Sequence, residues 1–148
     1  MNVETLPYLL VYGISFIISG VVLYHSWNNR NAPGVRAFAI AVLFEISWLL
    51  GYIFELNSSS LEAKVFWDNF QYIGALYAPI AILLFALRFV GRKINTRRLG
   101  LTLSIIPTLV LISIFANTNP ELIRLNTQIL SGTPYDELTY DFGLIANI

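Results

Sequence analysis

The chain has 148 residues, and its nine basic and nine acidic side chains cancel to a net charge of zero. Hydrophobic residues make up 56% and charged residues only 12%, against roughly 25% charged in an ordinary soluble domain, and the mean hydropathy is +0.65. This composition excludes a soluble globule, which needs far more polar residues to cover its surface, and the absence of cysteine excludes disulfides, thiolate metal sites and cysteine nucleophiles.

A helix crosses the hydrocarbon core of a bilayer, about 30 Å, with around 20 apolar residues. Four segments meet that length: residues 6–27, 35–54, 65–90 and 99–116. The first is too long for the apolar part of a signal peptide and has no basic segment before it, so it reads as a membrane anchor ending in Tyr24, His25 and Trp27 at an interface. The turn from Asn28 to Gly34 follows, and its Asn, Pro and Gly do not sustain a helix. Pro79 lies inside the third span and Pro107 near the middle of the fourth, and each removes a backbone donor.

The charges are sorted between the connecting segments. Arg30 and Arg36 lie in one, and Arg88, Arg92, Lys93, Arg97 and Arg98 in another, so seven of the nine basic residues fall in two segments. All nine acids fall outside them, and Glu45 is the one that lies deep within an apolar run. Lys and Arg collect on the cytoplasmic side, which predicts an N-terminus outside and a multi-pass protein of the plasma (cell inner) membrane. The basic turn is also suited to anionic lipid headgroups.

Residues 117–141 then form a polar loop on the outer side. Within it, Leu122-Ile123-Arg124-Leu125 and Leu138-Thr139-Tyr140-Asp141-Phe142 partly alternate, with Ser131-Gly132 and Thr133-Pro134 between them. That pattern predicts a small extracellular β-hairpin. Residues 142–148 turn apolar again and read as the start of a fifth span, so a fragment of a longer protein is expected.

Glu45 is placed near the bilayer centre, where an ionised carboxylate costs a few kcal/mol, so it needs a polar partner, a proton or the bundle interior. Trp48, Tyr52 and Glu55 follow it at i+3, i+7 and i+10 and share its helix face. The face is either one wall of a ligand or proton site or a packing device built on a protonated glutamate. Asp68, Gln71 and Tyr72 open the third span on one face, and Trp67 stands beside them. The two faces meet near the outer leaflet, where a few polar groups among aromatics make a small-molecule site. For Trp67 and Trp27 an aromatic belt at the interface is the simpler reading. The ligand-binding candidates are therefore Glu45, Trp48, Tyr52, Glu55, Trp67, Asp68, Gln71 and Tyr72. Small residues at four-residue spacing, Ser15 and Ser19, Ser47 and Gly51, Gly74 and Ala78, suit close helix packing. No catalytic constellation, metal-ligand cluster, cofactor motif or nucleic-acid signature is present, and the lone His25 reads as structural.

The stretch from Lys64 to Gly74 (KVFWDNFQYIG), continuing through Pro79 to Leu84-Phe85-Ala86-Leu87-Arg88-Phe89-Val90-Gly91-Arg92, resembles the N-terminal seven-transmembrane region of sensor histidine kinases, which also precedes diguanylate cyclases. Trp48, Glu55 and Asn117-Thr118-Asn119-Pro120 support the resemblance. One departure is that Glu121-Leu122-Ile123 stands where the family implies a histidine. The resemblance implies an all-α integral membrane fold, with four helices and the start of a fifth belonging to a seven-helix sensory bundle. The implied function is an input module that binds a ligand near the outer leaflet and passes a helix-packing change to a cytoplasmic kinase or cyclase in the same polypeptide. Membrane lipid and a small molecule are the other expected partners, with a homodimer as one option. The rival readings are a proton-coupled transporter subunit that uses Glu45 and a non-catalytic membrane scaffold.

Overall fold

The computed structural model describes residues 5–116, 124–132 and 136–142. Among them are five helices and one sheet: α1 (Leu6–Asn28), α2 (Val35–Asn57), α3 (Leu61–Phe89), α4 (Thr96–Leu103), α5 (Ile105–Ala116), β1 (Arg124–Leu130) and β2 (Glu137–Phe142). The three long helices, at 1.5 Å per residue, reach roughly 34 Å for α1 and α2 and roughly 43 Å for α3. All three are long and apolar enough to cross a membrane.

The predicted boundaries shift for local reasons. The second helix runs three residues beyond the predicted end at residue 54, to Asn57. The third starts at Leu61 rather than residue 65, because Ser60 caps it by accepting from the Ala63 amide at 3.2 Å. What reads in sequence as a polar segment from Glu55 to Lys64 is therefore mostly helix end, joined by residues 58–60. The largest departure concerns the predicted fourth span, which is two helices bent by 40° at Ser104. Pro107 lacks the amide that would bond the Leu103 carbonyl, and its ring crowds that carbonyl, so the helix restarts at Ile105. Pro79 produces no such break, and α3 continues through it. Three helices thus qualify as spans outright, and the bent α4–α5 pair qualifies if taken as one.

The core lies between α2 and α3. Ala37, Ala39, Ala41, Val42 and Leu49 of α2 and Ala81 of α3 are buried. The helices touch through glycine: a Cβ on Gly74 would come 2.4 Å from the Phe44 carbonyl, and one on Gly51 would come 2.6 Å from Gln71 Cγ. By contrast, α1 exposes Leu10, Val11, Ile14 and Ile17, and α5 exposes Ile105, Ile106, Leu109 and Ile112. Apolar side chains facing outward are the pattern of helices solvated by lipid. Tyr77 and Thr108 hydroxyls meet at 2.6 Å to tie α5 to α3.

The two basic turns share one end of the bundle. Gly34, at φ 83°, caps α2 in a left-handed conformation that a side chain would strain, and a Cβ there would lie 3.1 Å from Phe85 and 3.5 Å from Arg88 Cβ. Arg88 in turn donates to Thr96 Oγ1 at 2.7 Å, linking α3 to α4. At the opposite end lies the expected hairpin, with β1 and β2 antiparallel and a register shift between Leu125 and Gln128. Asn126 sits in that bulge at φ 52° and donates to Asp141 Oδ2 at 2.9 Å. The expected fifth-span start lies outside the described residues apart from residue 142, as do Asn117 to Pro120 and Glu121 to Ile123.

Candidate functional site

The end of α2 and the start of α3 carry polar groups on facing surfaces, and the hairpin closes over them. A cavity of about 350 Å³ lies between, lined by Tyr52, Glu55 and Leu56 of α2, Asp68 and Gln71 of α3, and residues 136–140. Gln71 Nε2 donates to Glu55 Oε2 at 2.5 Å, joining the two helices across the cavity floor. The contact is made where Gly51 admits Gln71 to the α2 backbone. Close helix packing and the polar pair are thus one feature.

Two cations hold the hairpin down. Lys64 is only 1% exposed and extends from α3 to donate to the Glu55 carbonyl at 3.0 Å and the Asp136 carbonyl at 2.7 Å. The first contact places a positive charge on the last turn of α2, where carbonyls lack helical donors and the helix dipole is negative. The second grips the hairpin at the foot of β2. Arg124 works in the reverse direction, from β1 down to α3, where it pairs with the Asp68 carboxylate. Its guanidinium also lies over two rings, with Cζ 5.7 Å from the Tyr72 centroid and 5.0 Å from that of Tyr140. Burial, followed by a hydrogen bond with Tyr72, pushes the Tyr140 phenol well above the ordinary tyrosine range, so it stays neutral.

Of the residues that sequence singles out, Tyr52, Glu55, Asp68 and Gln71 line the cavity, and Tyr72 lies outside the lining, under the Arg124 guanidinium. Trp48 stacks on Tyr52 at 5.8 Å, below the cavity, and Tyr12 of α1 meets Tyr52 edge-on at 4.7 Å. Trp67 points into a separate aromatic cluster, stacked on Phe54 at 4.5 Å with its edge toward Phe70. Glu45 lies ten residues before Glu55, roughly 15 Å along the helix, and accepts from Ser19 Oγ of α1 at 3.4 Å. It is exposed on the α1–α2 side and does not reach the cavity. Lys64, Arg124, Asp136 and Tyr140 escape a reading based on helix faces. A signal was nonetheless present: Lys64 and Arg124 are the two basic residues outside the sorted basic segments.

Among the described residues no group of His, Cys, Asp and Glu has the arrangement of a metal centre. The site offers hydrogen bonds, fixed charges and aromatic faces, which suit binding. A model of the N-terminal 7TM region of histidine kinase matches residues 11–148. No curated protein and no solved structure matches the chain. With a match over nearly its whole length, the chain belongs to the family of N-terminal seven-transmembrane regions of histidine kinases.

Proposed function

We propose that residues 1–148 are part of a seven-transmembrane sensory input domain that takes up a small molecule in the cavity between the hairpin and the α2–α3 helix ends. The observation that carries this reading is the cavity itself, whose walls come from two packed helices and a hairpin, so that an occupant touches all three. A ligand with different affinity for two helix arrangements shifts the population between them, and a kinase or cyclase output in the same polypeptide reads that shift. In this reading α4 and α5 together make a fourth, bent span. The basic turns face the cytoplasm of a plasma-membrane protein, and the hairpin and N-terminus face outside.

The test uses full-length protein in native membranes. Tyr52→Ala, Gln71→Ala and Glu55→Gln are each expected to shift basal output, while Leu109→Ala on the exposed face of α5 is not. Wild-type output from all three cavity variants overturns the site. Single-cysteine labelling tests the orientation. Labelling from outside is expected at residue 59 and protection at residue 95, and the reverse pattern overturns the topology.

A further inference from the structure

Arg124 belongs to the hairpin, yet its guanidinium is held in a cage made mostly by another element. Asp68 and Tyr72 come from α3, Tyr140 from β2, and Arg124 is only 9% exposed between them. A carboxylate beside two aromatic faces captures organic cations in general, because the ring quadrupoles and the fixed charge attract a weakly hydrated cation. The resident cation does not satisfy itself fully there: Arg124 Nε is buried with no hydrogen-bond partner. An unmade bond on a buried donor is a standing cost that a better-fitting cation avoids.

The cage also opens onto the cavity. Asp68 and Tyr140 belong to both. The cavity walls add Glu55, Asp136 and Glu137 and contain no Lys or Arg side chain among the described residues. A cation entering the cavity therefore has Glu55, Asp136 and Glu137 on its walls and Asp68 at the cage, with Lys64 behind the Glu55 and Asp136 carbonyls and Arg124 beyond Asp68.

We infer that Arg124 is a tethered stand-in for the ligand, and that the Asp68–Tyr72–Tyr140 cage binds a small organic cation of the guanidinium or primary-ammonium class that displaces it. The inference rests on the sensory reading and gives it a ligand class and a switch. Displacement releases the β1 side of the hairpin while Lys64 still holds the foot of β2. The hairpin then pivots rather than leaves, and occupancy of the cage is converted into a change in how the hairpin bears on α3.

The experiment titrates agmatine, which carries both a guanidinium and a primary ammonium, into the full-length protein in nanodiscs, following heat of binding and hydrogen exchange in residues 124–130. Wild type is expected to bind saturably and to exchange faster in that strand when loaded. Arg124→Ala is expected to bind about tenfold more tightly if Arg124 fills the cage about nine-tenths of the time. Arg124→Lys, which keeps a tethered competitor and guards against loss of folding, should fall between the two. Asp68→Asn should lose binding. Absence of binding in wild type and both Arg124 variants, or binding unaffected by Asp68→Asn, overturns the inference. If agmatine fails while Tyr52→Ala and Gln71→Ala still shift output, the cation class falls and the sensory site stands. If agmatine binds as expected while output ignores the cavity variants, the cage stands and the sensory reading falls.

Discussion

Replacing Lys64 with methionine removes the ammonium and keeps the stem that fills its buried path. Two charge-assisted hydrogen bonds are lost, worth about 1.5–3 kcal/mol each before desolvation is counted. The two losses are unequal. The Glu55 carbonyl keeps a second donor, the Ser58 amide at 3.0 Å, whereas the contact to Asp136 is the one that bridges helix and hairpin. Relief from burying an ammonium offsets much of the remainder. A net loss of about 2 kcal/mol in hairpin docking follows, or about a 30-fold rise in its opening equilibrium. Hydrogen exchange of the β2 amides in nanodiscs reads that equilibrium directly, with amides at the α2–α3 contact expected to stay protected. Exchange in β2 within about threefold of wild type would refute the assignment of Lys64 as the hairpin's anchor.

Gly74→Ala should destabilise the α2–α3 pair by about 1–3 kcal/mol in an equilibrium unfolding assay, because its Cβ falls about 1 Å inside ordinary contact with the Phe44 carbonyl. Gly20→Ala, with nothing within 4 Å, should be neutral or gain about 0.5–1 kcal/mol from helix propensity. Pro107→Ala restores a donor for the Leu103 carbonyl, so amides around Ser104 should exchange more slowly as α4 and α5 merge; unchanged exchange would place the cause of the bend elsewhere. The Tyr140 phenol titrates higher in the folded chain than its ordinary value of about 10, so its contribution to hairpin docking is complete below that pH and is lost as pH rises above it. A pH scan of β2 exchange should show that loss in wild type and not in Tyr140→Phe.

Hydropathy made the long helices legible because each must satisfy its own backbone in lipid, so its length and composition are local properties. The break at Ser104 was less visible: Pro79 and Pro107 look alike in sequence, yet only the second ends a helix. Helical spacing gave the direction of Tyr52, Glu55, Asp68 and Gln71 correctly, and all four line the cavity. The same spacing put Glu45 on their face nearly three turns deeper, but did not convey that it meets Ser19 of α1 and stays outside the cavity. The clamp was hidden for a different reason. Arg124 meets Asp68 across 56 residues and Lys64 meets Asp136 across 72, and no periodicity within one helix encodes such a pairing.

The two clamps also differ in what they recognise. Lys64 holds a backbone carbonyl, a group present at every position of any hairpin, so its grip is indifferent to side chains. Arg124 needs a particular carboxylate and particular rings. A hairpin grafted from another member of the family would therefore stay attached to this bundle through Lys64 whatever its sequence. It would sit in register over the cavity only if it brought an arginine to match Asp68 and Tyr72. Attachment is generic and alignment is coded, so chimeras that exchange hairpins alone should fold readily but seat the hairpin out of register, until residues 68, 72, 124 and 140 travel as a set.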